Sequence, residues 1–336
     1  MKAEPKVRAN SIQAAAIAGI LKEIRLNPDF YRRAFLNFDA DRESRLRMLF
    51  FSVAICHQTH LLHSERHNLW GWDYLEHGFL QMLNDQSPLL DPSNINHSET
   101  ADLAEVLAAY FSDEGKPESS TLDRLEERVE LMKDAAGVLE EKYEGKVSFL
   151  LDISAGYLVR AGKGLYELLD EFEAFADPHR KKSTFFLKLV MESGLLDLVD
   201  PENLIPIMDY HMQRVLLRTG CVEVLDEKLR KQLLEREVLN TDEPVRSACI
   251  GVLKAVAAQS GHAVTKMNDF FWSIGRSCCN ETTLCRERVC AKVPCTFALM
   301  ARVGPHDHCI FEQICPGKKD DAYSQLWHPV VKTHFY

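Results

Sequence analysis

The stretch LEERVELMKDAAGVL, residues 125–139, decides the fold class. Leu125, Val129, Met132, Ala136 and Leu139 recur at steps of three and four, with Glu and Lys between them. That spacing lays one apolar stripe along a helix. Working outward, similar stripes run through 11–25, 44–56, 102–111, 183–198 and 245–258, and no alternating strand pattern competes with them. Helices joined by short connectors predict an all-α fold, a helical bundle or array. Two polar stretches interrupt the stripes: PLLDPSNINHSET at 88–100 and SDEGKPESST at 112–121. Both read as loops, the second offering Ser120 or Thr121 as a cap for the next helix. The expected organisation is an N-terminal helical part (1–120), a helical core (121–276) and a cysteine-rich C-terminal part (277–336). RAGKG at 160–164 lacks a preceding strand and the full phosphate-loop pattern, so it reads as a turn.

The 336 residues suffice for one large or two fused domains, and 46% hydrophobic with 27% charged residues is an ordinary globular balance. No apolar run reaches the roughly 18 residues of a membrane helix. The Ala-rich run near the N-terminus is followed by Lys22, Glu23 and Arg25, which favours an amphipathic helix over a signal peptide and leads us to expect a cytoplasmic protein. The net charge of −10 argues against a protein that grips duplex DNA through many phosphates.

Ten cysteines are distributed unevenly. Cys56, Cys221 and Cys249 stand among apolar neighbours and read as buried small hydrophobes. The other seven, Cys278, Cys279, Cys285, Cys290, Cys295, Cys309 and Cys315, fall within 38 residues. Such density without a secretory signal points to metal rather than disulfides. All-thiolate ligation suits a 4Fe–4S cluster or zinc.

Two further stretches carry chemistry. In PENLIPIMDYHMQRVLLRTGCVEV (201–224), Pro206 stiffens the approach and Asp209 opens a helix that ends near Gly220. A carboxylate there is favoured by free N–H groups and the helix dipole, so it reads first as a cap. ICHQTHLLHSERHNLWGWDYLE (55–76) is dense in His and Trp. Its Trp72 could stack a base, and Gln58 or Asp73 could read the base edge; core tryptophans and solvated histidines are the plainer alternative. Its histidines match no strong zinc motif.

Asp209-Tyr210-His211-Met212-Gln213-Arg214-Val215-Leu216-Leu217-Arg218 resembles the Asp-x-His-x-x-Arg-Val-x-x-Arg pattern of endonuclease III-like DNA glycosylases, in the helix–hairpin–helix superfamily. Gln58-Thr59 resembles that superfamily's Gln-Thr turn, and Cys309-x5-Cys315 after Gly275-Arg276 resembles the end of its iron–sulfur loop, with His306 where a cysteine is expected. The queuosine salvage N-glycosidases are similar over more of the chain. They pair an Asp-Tyr-Arg motif with a Glu-x-x-Ile-Arg helix (here Glu243-Pro244-Val245-Arg246), an aromatic segment (here to Trp272 and Arg276) and an aromatic tail (here His328–Tyr336). Asn268, Asp269 and Ser273 stand where that segment carries its acidic and tyrosine contacts, and the glycine-rich phosphate-binding hairpin of the DNA enzymes is replaced by SGLLDLVDPENLIP.

The resemblance implies a glycosylase-like helical bundle in two parts, with a cysteine-rich metal loop. It implies an N-glycosidase with Asp209 as the catalytic carboxylate and His57, Gln58, Trp72, Asp73, Tyr210, Arg246 and Asp269 as substrate-binding residues. The expected substrate is a modified nucleoside or nucleotide, and no membrane is involved. The expected cofactor is a 4Fe–4S cluster, with zinc as the alternative, on ligands drawn from Cys279, Cys285, Cys290, Cys295, Cys309 and Cys315. An iron–sulfur DNA glycosylase and a non-catalytic helical interaction protein are the competing expectations.

Overall fold

The computed structural model describes residues 5–30, 35–292, 295–302 and 306–336. It is all-α in class: seventeen α-helices among the described residues, with strands of only two or three residues in three pairs. None of these helices is long and apolar enough to cross a membrane. Compact packing groups the chain otherwise than the sequence boundaries at 120 and 276. One unit comprises 1–30 with 205–332, and the other 31–204 with 333–336.

The unit formed by 31–204 is built on the helices Arg42–Ala54, Trp72–Asn84, Thr100–Tyr110, Leu125–Tyr143 and Lys181–Glu192. The stripe that opened the sequence reading turns inward: Val129, Met132, Ala136 and Leu139 are buried. Phe50 sits at the centre of an aromatic nest, 5.0 Å from the ring of Phe175, stacked, and edge-on to Phe51, Phe172 and Phe186. RAGKG is a turn, as its composition implies. The stretch 88–100 is not a plain loop, because Asp91 caps a short helix, Pro92–His97, through Asn94 N–H at 3.0 Å, with Pro92 in the first turn. Nor does Ser120 or Thr121 cap the long helix. Thr121 is engaged with the backbone of His63, and the helix opens after Arg124, whose φ is +52°.

The C-terminal end of Arg42–Ala54 is closed by buried cations. Lys182 Nζ donates to the Ala54 carbonyl, and Arg128 donates to the carbonyls of Ile55 and His57 while pairing with Asp123 at 2.7 Å. Cations at this end satisfy orphaned carbonyls and oppose the helix dipole. Burial pulls the Lys182 ammonium down to about 7. It also depresses the fully buried imidazole of His57 far below its usual range, helped by the charges of Lys182 and Arg128.

The other unit wraps an apolar core with the helices Ser11–Lys22, Tyr210–Arg218, Glu243–Ser260 and Val264–Ser277. Asn10 caps the first of these through Gln13 N–H. The strand Val7–Ala9 pairs antiparallel with Val222–Val224, so the N-terminal segment belongs to the second half of the chain. Cys221 and Cys249 are buried in this core, as is Cys56 in the other unit. The helices Tyr210–Arg218 and Val264–Ser277 meet at Gly275, where an added Cβ would stand 2.6 Å from the His211 carbonyl oxygen.

Two consequences are measurable. Gly275→Val forces those helices apart and is expected to lower the unfolding free energy by about 1–3 kcal/mol in urea titrations; an unchanged midpoint would contradict the contact. An unfolded chain protonates His57 near 6.5, while the folded chain does so far lower, so the unfolded state binds the extra proton as pH falls. Stability is therefore expected to drop on acidification through 6.5, His57 alone contributing on the order of 1 kcal/mol of loss by pH 5.5. His57→Gln should flatten that part of the profile.

Candidate functional site

Asp209 ends an extended approach (φ −112°, ψ −180°) and caps the helix Tyr210–Arg218, accepting from Met212 N–H at 3.0 Å. The capping role read from the sequence is therefore real. One carboxylate oxygen is engaged by the N-terminus of a helix, which favours the ionised form. Asp209 is buried, 9% exposed. The backbone just before it is held by two side chains, of which Arg246 was expected at the site from the sequence. Arg246 Nε donates to the Met208 carbonyl at 3.3 Å, and Asn268 Oδ1 accepts from Ile207 N–H at 3.2 Å. Arg246 is buried and lies 3.9 Å from Asp242 Oδ2, which also accepts from Gln213 Nε2 at 3.4 Å. The Asn268 Nδ2 and Gln213 Oε1 atoms are buried and make no hydrogen bond to the described protein. Asp269 is buried beside Asn268 on the helix Val264–Ser277. Arg246 and Asn268 thus brace the short segment that leads into Asp209, and two buried amide atoms near it lack a hydrogen-bond partner in the described protein.

The face of the helix behind Asp209 is aromatic and cationic. The Tyr210 ring lies 4.3 Å from that of His211 and 5.2 Å from that of His328. Burial, followed by the charge of Arg214, keeps the His211 imidazole well below its ordinary value and hence neutral. Arg214 donates to the carbonyls of Gly275 (2.9 Å) and Cys279 (3.0 Å), reaches His328 Nδ1 and His211 Nδ1 (both 3.1 Å), and stacks 4.5 Å from the Trp327 ring.

The remaining residues expected at a site lie in the unit formed by 31–204. His57 is fully buried, 3.7 Å from Glu127 Oε1, and its neutral ring nitrogens make no hydrogen bond to the described protein. Gln58 takes φ +45°, accepts from Arg124 through Oε1 at 2.7 Å and donates its N–H to the Tyr336 carbonyl. Trp72 is committed to the core: its indole N–H donates to Glu76 at 2.6 Å and its rings meet Phe35 and Phe185 edge-on. Asp73 lies in the first turn of the same helix.

The cysteine region brings together Cys278, Cys290, Cys295 and His306, one ligand atom from each within 4.8 Å of the others. Cys278 Sγ is 4.0 Å from Cys295 Sγ and 3.8 Å from His306 Nε2. A tetrahedral site with metal–sulfur arms of about 2.3 Å has edges of about 3.8 Å, so the quartet has the dimensions of a site for one metal ion. Ser277 fixes two of the loops, accepting Ala291 N–H on its carbonyl (2.8 Å) and Thr296 N–H on its hydroxyl (3.0 Å). A hydrogen bond from the Cys278 thiol draws Cys295 down to about 5, and the same bond drives Cys278 upward.

Of the six cysteines expected as ligands, only Cys290 and Cys295 belong to this quartet. Cys278 and His306 were missed. Their signal was present in the Cys278-Cys279 doublet and in the histidine occupying a cysteine's place, but thiol count alone favoured sulfur ligands. The quartet is a Cys/His group that could hold a metal ion; it does not by itself make an iron–sulfur centre.

No curated protein matches the chain. The profile of the family described as queuosine salvage protein matches residues 48–272, about two thirds of the sequence. The matched span takes in the Asp209 approach, Arg246 and Asn268 and stops short of all seven clustered cysteines. On that extent, the chain belongs to the queuosine salvage protein family.

Proposed function

We propose that the protein hydrolyses the bond between base and sugar in a queuosine-type modified nucleoside or nucleotide, with Asp209 as the carboxylate at the sugar. The observation that carries this reading is the placement of Asp209: a buried carboxylate, held by a helix N-terminus, inside the span shared with the salvage family. Breaking an N-glycosidic bond builds positive charge on the sugar ring, and a fixed carboxylate stabilises that charge or attacks C1′. A water oxygen then bonds to C1′. The bonding pair of the C1′–N bond leaves with the base, which ends by taking up a proton. Asn268 Nδ2 and Gln213 Oε1 supply a buried donor and acceptor suited to a polar heterocycle or a ribose hydroxyl. Tyr210 offers a ring face, and Arg246 keeps the approach segment in place. The helix–hairpin–helix relationship and the role of Asp269 belong to this proposal as well. The acidic net charge supports a small substrate over duplex DNA.

The metal proposal is zinc for the Cys3His quartet, where imidazole and thiolates share a site of single-ion size. The expected iron–sulfur centre then depends on the remaining cysteines. The quartet's role is to hold the 278–306 segment against the helix Val264–Ser277.

Asp209→Asn separates chemistry from architecture, because Asn caps helices as well as Asp does. The variant is expected to fold with an unchanged urea midpoint while base release from queuosine or its monophosphate, followed by liquid chromatography, falls by about 10²–10³-fold or more. Wild-type release by Asp209→Asn would remove the carboxylate from the mechanism. If the wild-type protein releases base from neither substrate, the hydrolase reading fails.

A further inference from the structure

Four clustered cysteines take no part in the Cys3His quartet: Cys279, Cys285, Cys309 and Cys315. They are neither scattered nor paired as disulfides. Cys279 and Cys315 both sit at the end of the helix Tyr210–Arg218. Arg218 Nη1 lies 3.8 Å from Cys279 Sγ, and Cys315 Sγ donates to the Arg218 carbonyl at 3.5 Å. Cys285 is tied to the same place from two sides. Thr283, which bridges to Cys279 through its backbone, hydrogen-bonds the Cys285 thiol, and Lys318, three residues beyond Cys315, donates to the Cys285 carbonyl. Cys309 closes the group. Glu312 N–H bonds back to its carbonyl at 3.0 Å, Cys315 N–H bonds to the Phe311 carbonyl at 2.8 Å, and Arg288 clamps Asp307 and Glu312 across the turn. Gly317 lets this turn approach the helix end: an added Cβ would stand 2.8 Å from the Arg218 carbonyl oxygen. The four thiols are mutual neighbours, each within electrostatic reach of the other three.

Cys279 and Cys315 converge on the end of one helix through Arg218, and Lys318 ties Cys285 to the same place. A bound metal holds such gathered thiols as thiolates. The donor set is all sulfur, unlike the mixed quartet next to it. Among the described residues, no three of these four sulfurs lie within 4.8 Å of one another, which suits a centre larger than one ion. Arg218 and Lys318 stand beside the group to offset the charge of four thiolates.

We propose that Cys279, Cys285, Cys309 and Cys315 form a second, all-thiolate metal centre, separate from the Cys278–Cys290–Cys295–His306 quartet, and that it holds an iron–sulfur cluster. The two ligand sets are interleaved along the chain, the second set enclosing Cys290, Cys295 and His306, and they part company at the adjacent residues 278 and 279. The centre pins the Cys309–Lys318 turn to the end of the helix that Asp209 opens, and it stands whether or not the hydrolase reading does.

The test is metal analysis of the full chain, purified without oxygen and reconstituted with ferrous iron and sulfide. Expected are one zinc with about four iron and four labile sulfide per chain, and a broad visible absorbance. Cys285→Ser and Cys309→Ser should lose iron, sulfide and colour while keeping zinc; Cys290→Ser should lose zinc and keep iron. X-ray absorption of the wild-type protein reads the same partition without any variant: three sulfurs and one nitrogen around zinc, and iron–iron scattering at the iron edge. A second zinc in place of iron would overturn the cluster. Loss of both metals from every soluble variant, or ready alkylation of the four thiols in the native wild-type protein, would overturn the separate site.

Discussion

The guanidinium of Arg214 is the constraint on which the 205–332 unit depends. It is 1% exposed, and burial draws it down to about 10, which still leaves it charged at neutral pH. A buried cation is costly unless its donors are used. Arg214 uses them on two backbone carbonyls and two imidazole nitrogens, with the Trp327 ring beneath its plane. These partners come from four places in the chain: its own helix, the helix Val264–Ser277, the first residues of the cysteine region, and the C-terminal segment. A lysine could not reach them all, because the planar fork is what spans them. His211 and His328 must stay neutral to accept from it, and for His211 burial enforces that.

One helix consequently carries three tasks along nine residues. Its first turn fixes Asp209, its middle holds the aromatic and histidine cluster through Arg214, and its end meets Cys279 and Cys315 through Arg218. The family match covers the whole of this helix and ends before the seven clustered cysteines. Asp209 and the cysteine region are therefore separable in sequence but mechanically continuous in this unit.

Much of the fold was legible because helical burial follows spacing: the 125–139 stripe, the N-terminal helix and the turn at 160–164 all follow local rules. The short helix Pro92–His97 was hidden because Asp-Pro-Ser-Asn is as good a helix entry as it is a loop, and only the cap geometry decides. Asp209 was legible as a cap from its position and as a candidate catalyst only through resemblance. The division of the cysteines was not legible. Cys278 and Cys279 are neighbours in sequence, yet their thiols face different partners, and no spacing rule encodes that. Trp72 shows the opposite limit: its richness in polar and aromatic neighbours suggested a binding face, while its ring contacts place it in a core.

The pairing of Val7–Ala9 with Val222–Val224 has a consequence for biosynthesis. The apolar side of the helix Ser11–Lys22 has its partners on Glu243–Ser260, more than two hundred residues later. At roughly 5–20 residues per second, that interval is on the order of ten to fifty seconds of translation. Residues 31–204, most of the other compact unit, emerge in the meantime. The early helix must wait with its greasy face uncovered, a natural client for a chaperone at the ribosome, until the last third of the polypeptide emerges to claim it.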